Sequence, residues 1–376
     1  MDVTMTFTAA AKAHLDELTR DQDASLTVQS AAALASVHQL FASYCGGDDI
    51  LLTGITRAQA SEFLAAVSTL DPTWGRSHKR SDNFTLRELL EQHGDGQGHG
   101  GLSNRTLNRY TRTLAAVWRY AEKRGHFTGA NPFAGQMRRA ASNRDTGYSP
   151  FTLDELRKLL GACQPVIAPE QHTVNTALDW ITWIAAYSGM RLNEICSLTV
   201  EDVKGQDGVT YFNIVNAKTA AGDRRVPVHS VLIDLGLLEY WQRQQAEAAV
   251  WAKRQWRRRG SAGAKKLAES RQAAHMLWPA LHEGGPDGKH SLYATKLFTK
   301  LRRELGLTRE HLAFHSLRCN VATALERAGI LETEAVELLG HHKLSMSYGL
   351  YSAGLDLQGL RRVVEAIQYP DVMKTA

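Results

Sequence analysis

The chain has few cysteines and no long apolar segment. Its four cysteines lie far apart and form no CxxC pair, so we expect reduced thiols in a cytoplasmic protein. The most apolar stretch, residues 180–187, is too short to span a bilayer and predicts a buried helix. The first residues lack a charged segment followed by an apolar one, so no secretion signal is expected. These absences favour a protein with no membrane partner.

Signatures of cofactor and metal chemistry are also missing. The glycine-rich stretch HGDGQGHGGLSN lacks a Lys-Ser/Thr pair and a preceding strand, so it is not a phosphate-binding loop of the nucleotide-binding type. No carboxylate cluster or HExxH motif is present, and we expect neither a metal nor a cofactor. A metal hydrolase remains an alternative, because four histidines could act as ligands: His311, His315, His341 and His342.

Basic residues are concentrated in one segment. The net charge is only +5, but residues 253–271 contain eight basic residues against Glu269 alone. A nearly neutral background with a basic cluster indicates a polyanionic partner. The candidate phosphate contacts here are Lys253, Arg257 and Arg258. A solvated charged insert is the alternative interpretation.

A length of 376 residues with 43% hydrophobic content predicts two folded domains. We expect a tail or short helix over 1–26, a helical domain over 27–135, a linker over 136–150 and a second domain over 151–376. Capping-box spacings begin helices at Thr56 and Thr152. Two β-prone runs around KTAAGD predict a hairpin with Lys218 at its tip. The fold class is therefore mainly α with a small β-hairpin or sheet.

One predicted helix, LSNRTLNRYTRTLAAVWRYAEKRG, has two stripes. Apolar residues recur every three or four positions, and basic residues follow the same spacing about 200° away. Guanidinium groups on that face could bind DNA phosphates, although an ordinary solvated face has the same pattern. The basic stripe consists of Arg105, Arg109, Arg112, Arg119 and Lys123.

Three further motifs contain candidate reactive groups. SGMRLNEIC places Arg191 at the start of a helix with Glu194 three residues later, and a structural ion pair is the simplest interpretation. FHSLR places His315 and Arg318 on one helical face. Taken alone, His315 could be a helix-cap histidine. Together the arginines, Lys218 and the histidines predict a site that stabilises a phosphate while a tyrosine attacks it.

These motifs, with AKTAAGDRRVPVH and LGHHKLSMSYGLYS, resemble those of the tyrosine recombinase (phage integrase) family in order and spacing. The resemblance covers about residues 148–370, and the first helical region resembles the family's core-type DNA-binding domain. It implies a DNA strand transferase that needs neither a metal nor ATP. The implied catalytic residues are Arg191, Glu194 as a supporting residue, Lys218, His315, Arg318, His341 and the nucleophile Tyr351.

Two positions in the last motif stay open from the residues alone. His342 rather than His341 could be the histidine of the Leu-Gly-His box, and Tyr348 competes with Tyr351. The resemblance further implies double-stranded DNA as partner, a homotetramer on paired sites, and a last helix that packs on a neighbouring protomer. An accessory directionality protein is a further expected partner. A catalytically silent DNA-binding protein with the same fold is the alternative function.

Overall fold

The computed structural model describes residues 5–21, 26–47, 50–72, 74, 85–93, 101–139, 147–215, 223–256, 275–341 and 354–370, with the backbone alone for 251–256. The chain divides into two compact units, Met1–Thr146 and Gly147–Ala376. We refer to them as the N-terminal and C-terminal units.

The N-terminal unit is a helical bundle built around one long helix. Its helices are α1 (Phe7–Arg20), α2 (Val28–Tyr44), α3 (Arg57–Ser68), α4 (Leu86–His93) and α5 (Asn104–Lys123), with a short 3-10 helix at Leu52–Gly54. Helix α5 packs against α1, α2 and α3, and its Trp118 is buried among aromatic rings. Helix α1 lies in the segment predicted as a tail or short helix, and Phe7 is fully buried in this core.

Sequence signals place the ends of these helices. Thr56 and Gln59 form the predicted capping box at the start of α3. The predicted apolar stripe of α5 is buried along its whole length, from Leu107 to Ala121. Helix α5 ends at Lys123, and Gly125 follows with a positive φ of 74° that suits glycine.

The C-terminal unit combines helices with a small sheet. Its helices are α6 (Leu153–Ala162), α7 (Val174–Ser188), α8 (Leu192–Cys196), α9 (Ser230–Asp234), α10 (Leu237–Trp256), α11 (Ser291–Glu304), α12 (His315–Arg327), α13 (Glu332–Leu339) and α14 (Leu357–Glu365). Its strands are β1 (Val203–Gln206), β2 (Val209–Ile214) and β3 (Arg224–Pro227). The fold is therefore mainly helical with a small sheet, as predicted.

The sheet is antiparallel in the order β1-β2-β3. Strands β2 and β3 form the predicted hairpin, with Phe212 opposite Val226. Strand β1 was not predicted. Its four residues, VKGQ, are too short and polar to show an alternating pattern, and only Val203 is buried.

Helix α7 is the centre of the C-terminal unit. Residues Trp180 through Ser188 are all buried, which confirms the predicted buried helix. Helices α11 and α12 pack against it. Helix α6 begins with the predicted capping box of Thr152 and Glu155. In the part of the chain that the structure describes, no helix is both long and apolar enough to cross a membrane.

Helix α14 packs on β3 and α13 of its own unit. Its apolar residues Leu357, Leu360, Val363 and Val364 are buried there. Packing of this helix on a neighbouring protomer stays a prediction.

Candidate active site

The candidate site is built where helix α13 ends. The last carbonyls of a helix have no partner within the helix. Three successive ones, at Leu338, Leu339 and Gly340, each accept a hydrogen bond from a different arginine. The arginines are Arg224 on β3, Arg318 on α12 and Arg191 before α8. Elements distant in sequence therefore meet at the negative end of one helix dipole.

Arg191 and Glu194 form the predicted pair. Nη1 of Arg191 donates to Oε1 of Glu194 at 2.7 Å, and the Arg191 backbone N–H donates to Oε2 at 2.8 Å. The Arg191 side chain also donates to the Gly340 carbonyl at 3.1 Å and keeps 41% of its surface exposed. Arg191 is thus fixed in orientation while its guanidinium remains accessible to a ligand.

Arg224 also belongs to this site, and the sequence reasoning missed it. Its Nη1 and Nη2 donate to the two oxygens of Glu194 at 3.2 and 2.9 Å, and its Nε donates to the Leu338 carbonyl at 2.8 Å. The Arg224 side chain is 6% exposed. A signal was available, because the alternation of a strand puts Arg224 on the same face as the fully buried Val226.

Glu194 is ionised at the centre of this arrangement. Burial alone would raise the pKa of its carboxyl group, but hydrogen bonds and charge from Arg224 and then Arg191 outweigh burial and lower the pKa to about 2. One carboxylate thus offsets part of the charge of the clustered guanidiniums. The remaining positive charge suits an anionic ligand.

Arg318 is almost fully buried, with 4% exposure. Its Nη1 donates to the Gly189 carbonyl at 2.6 Å, and its Nη2 donates to the Leu339 carbonyl and, at 2.7 Å, to Nε2 of His341. Burial and the neighbouring Arg191 and Arg224 lower its pKa to about 9, so it stays charged at neutral pH. Among the described residues no group accepts from its buried Nε–H. One donor of this guanidinium is thus left without a partner.

His341 follows Gly340, where the chain leaves helix α13. A guanidinium can only donate, so Nε2 of His341 must be the unprotonated nitrogen that accepts from Arg318. Burial and the charges of Arg318, Arg191 and Arg224 lower its pKa to about 4. Neutral His341 therefore carries its proton on Nδ1 and can donate a hydrogen bond from that atom.

His315 begins helix α12, one turn before Arg318, as predicted. Its ring packs on that of Tyr148 with centroids 5.2 Å apart. Burial and the charges of Arg318 and Arg191 lower its pKa, which favours the neutral base. His315, Arg191 and Arg318 all line a cavity of about 240 Å³. The structure thus brings together five predicted residues: Arg191, Glu194, His315, Arg318 and His341.

Other predicted residues lie outside the described part of the chain, namely Lys218, His342, Tyr348, Tyr351, Arg257 and Arg258. Lys253 lies in α10 where the backbone alone is described. The basic stripe of α5 is described, and all five of its residues are exposed: Arg105, Arg109, Arg112, Arg119 and Lys123.

The histidines of the metal-hydrolase alternative do not form a helical pair. His311 has a left-handed φ of 63° and precedes helix α12, so the four-residue spacing to His315 is not one helical turn. Within the described residues, no group of three or more His, Cys, Asp or Glu side chains is placed to hold a metal ion.

The fold is similar to that of several solved integrases. A lambda integrase tetramer bound to a Holliday junction gives a TM-score of 0.54 at 18% identity, covering 92% of this chain and 80% of that one. The Tn1549 transposon integrase bound to transposon right end DNA gives a TM-score of 0.54 at 16% identity, covering 96% of this chain and 99% of that one. The same integrase with a circular intermediate DNA gives a TM-score of 0.55 at 16% identity, covering 97% of this chain and 100% of that one. At these identities the likeness establishes the fold alone.

Sequence comparison establishes the family. Residues 150–356, more than half of the chain, match the phage integrase family. No curated protein matches the sequence. The chain belongs to the phage integrase family, whose members are tyrosine recombinases. It is a site-specific DNA recombinase.

Proposed function

We propose that the chain cleaves and rejoins double-stranded DNA through a covalent link between Tyr351 and a 3′ phosphate. The observation that supports this most is the convergence of Arg191, Arg318 and neutral His341 on one helix end. These groups can donate hydrogen bonds to the non-bridging oxygens of a phosphodiester. Such preoriented donors stabilise the charge that develops when the phosphorus becomes pentavalent.

The chemical step conserves the number of phosphoester bonds. The phenol oxygen of Tyr351 attacks the phosphorus and forms a new O–P bond, while the bond from phosphorus to the 5′ oxygen breaks. The phenol proton passes to a base, for which we assign neutral His315, and the 5′ oxygen takes a proton from Lys218. Because the arginines already provide the positive charge, the step needs no metal ion.

Rejoining is the reverse reaction with a different DNA end. The 5′ hydroxyl of a partner duplex attacks the phosphotyrosine link, which restores a DNA phosphodiester and frees Tyr351. Each step exchanges one phosphoester for another, so no ATP is consumed. We propose four protomers on two paired sites, consistent with the lambda integrase tetramer on a Holliday junction.

The decisive experiment is covalent trapping on nicked duplexes made from the DNA that flanks the gene, with a chelator present. Wild type should form an adduct that resists denaturation, Tyr351→Phe should form none, and Tyr348→Phe should behave like wild type. Loss of the adduct in Tyr348→Phe alone would assign the nucleophile to Tyr348. Binding of wild type to a duplex that it never cleaves would instead indicate a catalytically silent DNA-binding protein.

A further inference from the structure

We infer that Arg224 is a positioning residue for DNA cleavage, which acts on the scissile phosphate through Arg191 and His341 rather than by contact. This inference rests on the proposed function. Arg224 lies on β3 and donates to the Leu338 carbonyl, next to the Leu339 and Gly340 carbonyls that accept from Arg318 and Arg191. Its own guanidinium is 6% exposed, so a phosphate at the surface would meet Arg191 instead.

The contacts of Arg224 join three segments of the C-terminal unit. Through Glu194 it is connected to Arg191, because the same carboxylate oxygen, Oε1, accepts from Nη1 of both arginines at 2.7 and 3.2 Å. Through the Leu338 carbonyl it is connected to the end of α13, two residues before Gly340. Its backbone belongs to β3, which pairs with β2.

The Arg224 guanidinium lies close to the backbone at Gly340. Gly340 has a left-handed φ of 66°, and a Cβ at that position would lie 2.8 Å from Nη1 of Arg224. The backbone before His341 therefore rests directly on the guanidinium. A shorter or unbranched side chain at position 224 would lose the hydrogen bonds to Glu194 and to the Leu338 carbonyl.

Arg224 contributes charge to the site as well as packing. Glu194 is only 12% exposed and accepts from both arginines, and Arg224 supplies a hydrogen bond to each of its two oxygens. With Arg224 saturating the carboxylate, Arg191 keeps an exposed part of its guanidinium for the phosphate. Arg224 thus determines how much of Arg191 is available to the ligand.

The test is a double-mutant cycle between Arg224 and Glu194. The variants are Arg224→Met, Glu194→Gln and the combination, with Arg225→Met as the matched control on the same strand. Arg225 is half-exposed, and its guanidinium lies over the Tyr211 ring, away from Glu194. For each protein one measures the melting temperature, the affinity for a DNA site and the single-turnover rate of covalent adduct formation.

Arg224→Met should slow adduct formation by about 10- to 100-fold, since a small misplacement of oriented groups has effects of that size. Its melting temperature should fall as well, because Glu194 then keeps only one of its two arginine partners. The combined variant removes the poorly compensated charge and should recover much of the melting temperature. Its rate should nevertheless stay as low as that of the slower single variant. DNA affinity should change by less than about threefold, and Arg225→Met should match wild type.

Several results would overturn the inference. Recovery of the rate together with the melting temperature would mean that Arg224 has only a structural role. Single effects that multiply in the combined variant would mean that Arg224 does not act through Glu194. Slow cleavage by Arg225→Met would point to general loss of basic charge. If wild type itself forms no adduct, the proposed function fails and this inference fails with it, whereas fast cleavage by Arg224→Met removes the inference alone.

Discussion

At the scale of single residues, the site is organised by buried charge. Glu194 is only 12% exposed, yet it is surrounded by donors from Arg191 and Arg224 and stays ionised. Removing one member of such a buried pair typically costs about 3–5 kcal/mol, because the other charge is left unpaired. The same residues that position the phosphate donors therefore contribute to folding stability. Protonation of Glu194 in acid should remove that contribution.

We predict that acid destabilises the wild type more than Glu194→Gln. The pKa of Glu194 is about 2 in the folded chain and 4.5 as an ordinary carboxyl group. Because the folded pKa is the lower one, the ionised carboxylate stabilises the fold at every pH above about 4.5. That contribution is lost as the pH falls from 4.5 towards 2. It amounts to about 3 kcal/mol at roughly 1.4 kcal/mol per pKa unit.

The measurement is the free energy of unfolding by urea at a series of pH values between 7 and 2. The difference between wild type and Glu194→Gln should shrink by about 3 kcal/mol across the acid range. Two curves that run parallel from pH 5 to pH 2 would contradict the assignment of Glu194 as the ionised centre.

At the scale of elements, the ends of helices assemble the site. Gly189 caps the end of helix α7 and its carbonyl accepts from Arg318, and Gly340 caps the end of α13 and its carbonyl accepts from Arg191. Both glycines have a left-handed φ of 66°. The two helix ends are also in contact, since a Cβ on Gly189 would lie 2.6 Å from Cδ2 of Leu339.

We predict that Gly189→Ala destabilises the fold more than Gly329→Ala does. Gly329 has a similar φ of 73° but no atom within 4 Å of an added Cβ, so alanine there suffers backbone strain alone, about 1 kcal/mol. Gly189→Ala adds a clash with Leu339 and Val321 that typically costs a further 1–3 kcal/mol. Urea unfolding of both variants tests this, and equal losses of stability would contradict it.

Short sequence patterns predicted the helices and the hairpin more completely than they predicted the residues of the candidate active site. The capping boxes at Thr56 and Thr152, the buried helix α7 and the hairpin follow from short sequence patterns, and the structure contains each of them. Arg224 was missed because its function depends on Glu194, thirty residues away, and on the α13 end, which no local pattern connects to it. Strand β1 was missed because β2 pairing, rather than its own sequence, defines it.

At the scale of the whole molecule, charge is distributed between two units. The C-terminal unit contains the arginine cluster, and the N-terminal unit presents an exposed basic stripe on α5. The opposite side of α5 is buried in the bundle core, so the basic side chains are held on a rigid helix. We propose that this stripe supplies DNA affinity and that the arginine cluster supplies chemistry.

We predict that replacing Arg109, Arg112 and Arg119 with glutamine weakens DNA binding without slowing cleavage at saturating protein. Each lost phosphate contact should reduce the slope of log K against log salt by about 0.9, because fewer counterions are released on binding. Arg124→Gln is the matched control, since Arg124 directly follows the same helix but is already paired with Glu17. It should leave the salt slope unchanged.

The measurement is DNA affinity from about 50 to 200 mM salt, a range over which several phosphate contacts change affinity by orders of magnitude. It is combined with the single-turnover adduct rate at saturating protein. A lower slope with an unchanged rate assigns α5 to binding alone. An unchanged slope would mean that the stripe is an ordinary solvated face, as the sequence pattern also allows. A slower rate at saturation would mean that α5 also affects how the DNA lies against the arginine cluster.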